Sequence, residues 1–205
     1  MKKLCIFIIL LSLSIAVNAD SILSNITYTG KDIYDNGTLY PAHSATLQGT
    51  SLYFHGDGSV NQEKLFEFTV DDTQNIISKI NFVFNIDANS ADNDITMLLS
   101  DGSLLLGAFR LEQDLLDLWQ ATDNNTTVTP TQLGRITTTF ATAFEMELLL
   151  GEQNTTISAT MSGKTITHTV NSAMNQDNPL KIIMTQNEGN EASTFHSMQV
   201  EITGD

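Results

Sequence analysis

Four aromatic side chains of this 205-residue chain have the chemistry to hold a sugar: Trp119, Tyr53, Tyr34 and Tyr40. An aromatic face stacks on the apolar side of a pyranose ring, and a few polar groups around that floor bind its hydroxyls. Trp119 and Tyr53 alternate with apolar neighbours, which predicts that both point away from the core. We expect Trp119 to be the main ligand-binding residue; packing of its ring in the core or at a sheet edge is the alternative.

A second cluster gathers side-chain oxygens within one short segment, at Asp87, Asn89, Asp92 and Asp94. Calcium takes six to eight oxygen ligands at about 2.3–2.6 Å. The spacing differs from that of an EF-hand, which needs a glycine at its sixth position and a glutamate at its twelfth. Asn and Asp also favour loops because their side chains close turns. The segment is predicted to be a loop that binds calcium, with turn formation alone as the alternative.

Histidine, cysteine and serine give no catalytic pattern. The single cysteine, Cys5, lies near the N-terminus, and the four histidines show no metal-ligand spacing. His168 and His196 are predicted to point to the apolar sides of their strands, where a histidine with satisfied hydrogen bonds is the usual explanation. Serine and threonine are so abundant that the sequence singles out no Ser-His-Asp arrangement. We therefore predict no catalytic residue.

The N-terminal segment has the pattern of an export signal. Lys2 and Lys3 precede an apolar run, and Val17-Asn18-Ala19 supplies the small residues of a cleavage site. The run is too short to cross a bilayer core of about 30 Å. We expect residues 1–19 to be a signal peptide and residues 20–205 to be one domain, secreted to the outside or to a periplasm and not inserted in a membrane.

The net charge of the chain limits the classes of partner that it can bind. The formal net charge is −15, from nine Lys and Arg against 24 Asp and Glu, and two of the nine basic residues lie in the predicted signal peptide. Binding of nucleic acid or of anionic lipid depends on Lys and Arg. The acidity therefore argues against both and favours cations or carbohydrates as partners, or it simply keeps an exported protein soluble.

Period-two alternation predicts strands along most of the chain. Ile80, Phe82, Phe84 and Ile86 alternate with more polar residues, as in a half-buried strand of an antiparallel sheet. The segment Leu111–Trp119 also fits helical spacing, but a strand is favoured because its neighbours are all strands.

Two hairpins are predicted. Asp101-Gly102 and Ser162-Gly163 are dipeptides that adopt positive φ at low cost and close two-residue turns. The second turn would pair Met161 with Lys164 and Ile157 with His168, which places apolar residues on one face of the hairpin and threonines on the other.

The order of these elements resembles that of concanavalin-A-like (laminin-G-like) jelly rolls. The resemblance rests on the glycine-flanked strand 46–58, the strand 80–85, the hairpin strand 93–99 and the closing strand 195–202. In such domains the last strand returns beside the first. The resemblance implies an all-β, antiparallel two-sheet β-sandwich of jelly-roll type, and it says more about fold than about activity.

Related jelly-roll glycosidases carry two catalytic carboxylates on one strand, and similar domains often hold a structural calcium at a sheet rim. Glu145 and Glu147 have the matching spacing, but Leu149 occupies the third acidic position of that motif. We expect both glutamates to face solvent opposite a buried Phe144, Met146 and Leu148.

These observations favour an exported, non-catalytic, lectin-like module that binds a carbohydrate or a cell-surface component. A structural or adhesive subunit of an extracellular matrix or surface layer is the alternative, because uncharged strand edges allow self-association. A glycoside hydrolase or polysaccharide lyase is the third.

Overall fold

In a computed structural model the chain is described at residues 21–39, 45–54, 63–70, 77–88, 95–101, 105–112, 115–121, 128–138, 143–186 and 193–204. In chain order the elements there are β1 Ser21–Thr29, α1 Gly30–Asn36, β2 Thr38–Leu39, β3 Ala45–Gln48, β4 Ser51–Phe54, β5 Glu63–Val70, β6 Ile77–Ala88, β7 Ile95–Ser100, β8 Leu105–Glu112, β9 Leu115–Ala121, β10 Val128–Thr137, β11 Ala143–Leu150, β12 Thr155–Met161, β13 Lys164–Val170, β14 Leu180–Gln186 and β15 Ser193–Gly204. Among these elements, no helix has the length and apolar character needed to span a membrane.

The strands form two antiparallel sheets. The eight-stranded sheet has the order β13-β12-β11-β6-β15-β4-β3, and β1 also pairs with β15. The seven-stranded sheet has the order β10-β9-β8-β7-β14-β5-β2. The last described strand, β15, pairs with the early strands β1 and β4, as the resemblance implies. This arrangement confirms the predicted antiparallel two-sheet sandwich.

One apolar core lies between the sheets, because alternate residues of each strand point inward. Along β12 every second residue is buried, from Thr155 to Met161. Aromatic rings fill much of the core, and Phe84 and Phe144 stack with their ring centroids 4.8 Å apart. The largest fully buried aromatic side chains are Phe54, Phe82, Phe84, Phe109, Phe144 and Phe195.

The hairpin at Ser162-Gly163 has the predicted register, with Met161 opposite Lys164 and Ile157 opposite His168. Both turn residues have positive φ, 52° and 73°, as a two-residue turn between twisted strands requires. The outer face of this hairpin carries hydroxyl pairs across the strands, such as Thr160 with Thr165 at 2.8 Å.

The other predicted hairpin has the expected antiparallel strands, but more than two residues connect them. Strands β7 and β8 are antiparallel, and the register places Ser100 opposite Leu105, so the predicted two-residue turn at Asp101-Gly102 is wrong. Asp101 is instead buried, and its carboxylate accepts the backbone N–H of Asn175 at 2.9 Å. In the segment Leu111–Trp119, the described residues 111–112 and 115–119 are strand, as predicted, and belong to β8 and β9.

A β-bulge in β15 changes the direction of His196. Phe195 lies opposite Ile86 and Ser197 opposite Asn85, so β15 contains one extra residue at this point. Phe195 and Met198 are both fully buried, whereas the His196 side chain is 34% exposed. The prediction that His196 points to the apolar side is wrong, because the bulge breaks the alternation of the strand.

Helix α1 is fixed to the sandwich at the same place. A Cβ atom on Gly30 would lie 2.2 Å from the backbone N of Leu52 and 2.8 Å from the carbonyl O of Phe195. The backbone N–H of Lys31 donates to the carbonyl of Thr50 at 2.9 Å. The start of the helix therefore packs directly on the backbones of β4 and β15, a contact that only glycine allows.

Candidate functional site

Trp119 lies on the outer face of the seven-stranded sheet. Its neighbours Leu116 and Leu118 on β9 are buried in the core, so the alternate residues Asp117 and Trp119 point away from the other sheet. The Trp119 side chain is half-buried on that face. This position confirms the expected direction of the ring and excludes its packing between the sheets.

An apolar row supports the indole ring. Trp119 lies opposite Ala108 on β8, and Ala108 lies opposite Leu98 on β7. Leu98 and Ala108 are buried although they face outward, and Trp119 and Ile183 pack against them. Because Leu98 and Ala108 are only 2% and 1% exposed, this row is an apolar support beneath the indole, and the ring itself is the surface on which a sugar can stack.

A buried carboxylate, that of Asp117, lies at the neighbouring outward position of β9, two residues before Trp119. Asp117 has no exposed side-chain surface. Its Oδ1 accepts from Nε of Arg135 and from Nε2 of Gln132, each at 2.7 Å, and its Oδ2 accepts from Nη2 of Arg135 at 2.7 Å. Because the Arg135 side chain is 46% exposed, the cation of this pair reaches solvent while the anion does not.

Arg110 connects the buried pair to the ring. It lies opposite Asp117 in the ladder, with Nε 4.0 Å from Asp117 Oδ2. Its guanidinium carbon is 5.9 Å from the centroid of the Trp119 ring, within the range of a cation–π interaction. The indole N–H of Trp119 is buried and has no hydrogen-bond partner within the described ranges. The ring is therefore held by packing and by Arg110.

The site consists of these five residues, Trp119, Arg110, Asp117, Gln132 and Arg135. They combine an aromatic ring, two guanidinium groups and an amide on one face of the sheet. Planar donors of this kind bind hydroxyl and carboxylate groups with defined geometry. The arrangement can bind and orient a polar ring compound.

The other predicted aromatic residues lie elsewhere. Tyr53 is on the eight-stranded sheet, between the buried Leu52 and Phe54, so it faces outward on the opposite side of the sandwich from Trp119. Tyr34 is 38% exposed on helix α1. Tyr40 lies outside the described residues. The structure thus does not bring Trp119 and Tyr53 together, and any role of the three tyrosines stays a prediction.

The predicted calcium residues are described in part. Asp87 is at the end of β6, where its Oδ2 lies 2.8 Å from Nε2 of His196. Asn89, Asp92 and Asp94 lie outside the described residues. Within the described part of the chain, His, Cys, Asp and Glu side chains form no group of three or more suited to a metal ion. The calcium site stays a prediction.

Glu145 and Glu147 point outward from β11, as expected, between the buried Phe144, Met146 and Leu148. They lie on the eight-stranded sheet, opposite Val83 and Asn81 of β6. They are therefore on the other side of the sandwich from Trp119, and no ligand-binding residue of the candidate site lies on their sheet.

Sequence reasoning missed four residues of the candidate site. Asp117 and Arg110 could have been found from alternation. Asp117 is two residues before Trp119 and so points to the same side of β9, and Arg110 lies opposite Asp117 on β8. Gln132 and Arg135 gave no such signal, since β10 pairs with β9 through an irregular register between Gln132 and Gly134. A bulge of this kind cannot be read from alternation alone.

No protein-family model and no curated protein matches the sequence. Solved structures do match the fold. The carbohydrate recognition domain of Emp46p, in its metal-free form, is 9% identical with a TM-score of 0.54, covering 83% of this chain and 89% of that one. A laminarinase from Flavobacterium sp. UMI-01 is 9% identical with a TM-score of 0.51, covering 89% of this chain and 99% of that one.

A third similar structure is the CBM2 module of the evolved Dit of Lactobacillus casei BL23 phage J-1. It is 6% identical with a TM-score of 0.50, covering 88% of this chain and 90% of that one. At these identities the likeness establishes the fold and leaves the activity open. The protein is a concanavalin-A-like jelly-roll β-sandwich, a fold shared by lectin-like domains, carbohydrate-binding modules and glycoside hydrolases.

Proposed function

We propose that this protein is an exported module that binds carbohydrate, without catalysing a reaction at that site, on the outer face of its seven-stranded sheet. The observation that carries the proposal is the placement of Trp119 over the apolar row of Leu98 and Ala108, beside the guanidinium of Arg110. A sugar ring that stacks on the indole would place its hydroxyls near the planar donors of Arg110 and Arg135.

The energetics of the face support binding. The site residues lie on strands whose inner faces are fixed in the core, so little conformational entropy is lost when a ligand orders them. Arg135 is already oriented by its two hydrogen bonds to Asp117. Aromatic and arginine side chains held in this way are the residues that carry most of the binding free energy in interfaces.

The fold also supports carbohydrate binding, but only at the level of the class of protein. Of the similar structures, one is described as a carbohydrate recognition domain and one as a CBM2 module. A third is described as a laminarinase, so the fold alone leaves an enzyme possible. The separation of Glu145 and Glu147 from the Trp119 face favours binding over hydrolysis at this face.

A glycan array probed with the purified protein tests the proposal, followed by titration of each glycan that binds. Trp119→Ala removes the stacking surface, and we expect it to weaken binding at least tenfold, or about 1.4 kcal/mol. Tyr53→Ala is the matched control, because it also truncates a half-buried aromatic ring but on the other sheet. Melting curves of both variants show whether each has folded.

Each outcome of this experiment leads to a different conclusion. Binding lost in Tyr53→Ala and kept in Trp119→Ala would move the site to the eight-stranded sheet. An array without signal would contradict carbohydrate binding. Running the array with calcium and with a chelator tests the predicted metal: a signal lost on chelation supports calcium at Asp87, Asn89, Asp92 and Asp94, and a signal that persists removes the metal from the proposal.

Strand β1 supports a second candidate function, that of a self-assembling structural or adhesive subunit. Its nine residues carry no charge, and Ile22 and Ile26 are 64% and 44% exposed. Within the described ranges β1 pairs with β15 alone. An uncharged edge strand can pair with a strand of another molecule. Light scattering over a range of concentrations tests this candidate, and Ile26→Lys should abolish any assembly.

A further inference from the structure

Three residues that are distant in the sequence form a chain of hydrogen bonds on the outer side of the eight-stranded sheet. Ser51 Oγ lies 2.9 Å from Nδ1 of His196, and Nε2 of His196 lies 2.8 Å from Oδ2 of Asp87. They belong to β4, β15 and β6, which are neighbours in that order. The sandwich thus assembles a Ser-His-Asp arrangement that sequence reasoning did not predict.

The protons of this chain follow from the chemistry of its members. An ionised Asp87 can only accept, so Nε2 of His196 carries the proton that is shared with it. In the neutral ring Nδ1 then has a free electron pair, which accepts the Ser51 O–H. A carboxylate that fixes the tautomer of a histidine, which in turn accepts from a serine, activates a serine nucleophile in serine hydrolases, and here the two ring nitrogens exchange their roles.

The three residues are held by rigid elements and remain accessible. Each lies on a strand, and the bulge in β15 directs His196 outward between its partners. The backbone of Gly30 packs against the backbones beside Ser51 and His196. The side chains of His196 and Asp87 are 34% and 38% exposed and Ser51 is half-buried, so a small electrophile can reach the serine.

We propose that Ser51 is a nucleophile activated by His196 and Asp87 and that it accepts acyl groups from small, unhindered esters. In the first step the Oγ of Ser51 bonds to the ester carbonyl carbon while its proton passes to Nδ1 of His196. The bond to the alkoxide then breaks, and His196 returns the proton to the leaving alcohol. Water attacks the acyl-serine in the same way, releases the acid and restores the Ser51 hydroxyl.

This site shares no residue with the Trp119 face, since it lies on the opposite sheet, although Asp87 is also one of the predicted calcium residues. Asp87 is the positioning residue, as it acts through His196 rather than on the ester.

Labelling with a fluorophosphonate probe tests the proposal, since such a probe phosphonylates activated serines. Peptide mapping of the purified protein should place the adduct on Ser51. His196→Gln keeps the shape of the side chain but cannot take up the proton, and we expect labelling to slow on the order of 100-fold. Asp87→Asn should also slow labelling, because the amide no longer fixes the tautomer.

The matched control is Ser78→Ala. Ser78 lies on the same sheet, but its hydroxyl donates to the carbonyl of Thr203 at 3.3 Å rather than to a histidine. Labelling should be unchanged in this variant. An adduct spread over several serines, no adduct, or labelling equal in His196→Gln would overturn the proposal and leave the three residues a purely structural role.

Discussion

The carboxylate of Asp117 accepts two parallel hydrogen bonds from the guanidinium of Arg135, from Nε to Oδ1 and from Nη2 to Oδ2, each 2.7 Å long. The anion is completely buried and the cation is 46% exposed. Asp117 therefore depends on Arg135, on Gln132 and on the more distant Arg110 for compensation of its lost hydration. The same pair fixes Arg135 at the edge of the proposed carbohydrate site.

Arg135→Ala should lower the free energy of unfolding by about 3 kcal/mol, because the Asp117 charge stays buried without its main partner. Lys31→Ala is the control, since it removes one partner of the ion pair between Lys31 and Asp35. Both of those side chains are about half exposed, at 52% and 51%. Exposed pairs contribute at most about 1 kcal/mol. Urea unfolding measures both, and equal losses would contradict the burial argument.

Gly30→Ala should lower the free energy of unfolding by about 1–3 kcal/mol. The added methyl group meets backbone atoms of Leu52 and Phe195, which cannot move aside. Gly151→Ala is a matched control with the same change in the unfolded chain. Its methyl group would lie 2.7 Å from Oδ1 of Asn154, the end of a flexible side chain, and 3.1 Å from the backbone O of the same residue, a milder backbone contact than those at Gly30. Thermal unfolding should show a smaller loss for Gly151→Ala, and the reverse order would show that α1 is free to shift.

Acid should remove the contribution of the cap of helix α1. The side-chain and backbone hydrogen bonds from Thr29, at 2.6 and 2.7 Å, lower the pKa of Asp32 below its ordinary value. A lowered pKa stabilises the fold above the unfolded value of about 3.9 and loses that effect as pH falls through the folded value.

Thr29→Val removes the capping hydroxyl and should cost about 1 kcal/mol at neutral pH. The difference from the unmodified protein should shrink between about pH 5 and pH 2, as Asp32 becomes protonated. Thr160→Val, which removes an exposed hydroxyl that bonds Thr165, should show no such pH dependence. Denaturation at several pH values checks this, and a difference that stays constant would remove Asp32 from the explanation.

Two substitutions in the turn at Ser162-Gly163 should have different effects on the free energy of unfolding. Gly163→Ala places a Cβ atom at a φ of 73° and should cost about 1 kcal/mol. Ser162→Gly removes a Cβ atom from a φ of 52° and should leave the free energy of unfolding unchanged or higher. Chemical denaturation of both variants measures the effect, and a loss in Ser162→Gly would point to its 3.0 Å contact with Thr138.

The structure also shows how far the site could be predicted. The outward direction of Trp119 followed from its alternation with apolar neighbours, and the structure confirms it. The residues around it did not follow, because Arg135 lies opposite Asp117 in a register that an irregularity between Gln132 and Gly134 has shifted. The approach of Ser51, His196 and Asp87 depends on a bulge in the same way.

By itself the sequence determined the fold class, because period-two alternation and turn residues are local properties of the chain. It also determined the register of the hairpin at Ser162-Gly163, where turn and strands are adjacent. Only the tertiary structure decided which strands from distant parts of the chain are neighbours, and where a bulge reverses the direction of a side chain. The sites at Trp119 and at His196 arise from such long-range pairings, since their residues come from different strands that meet only in the folded sandwich.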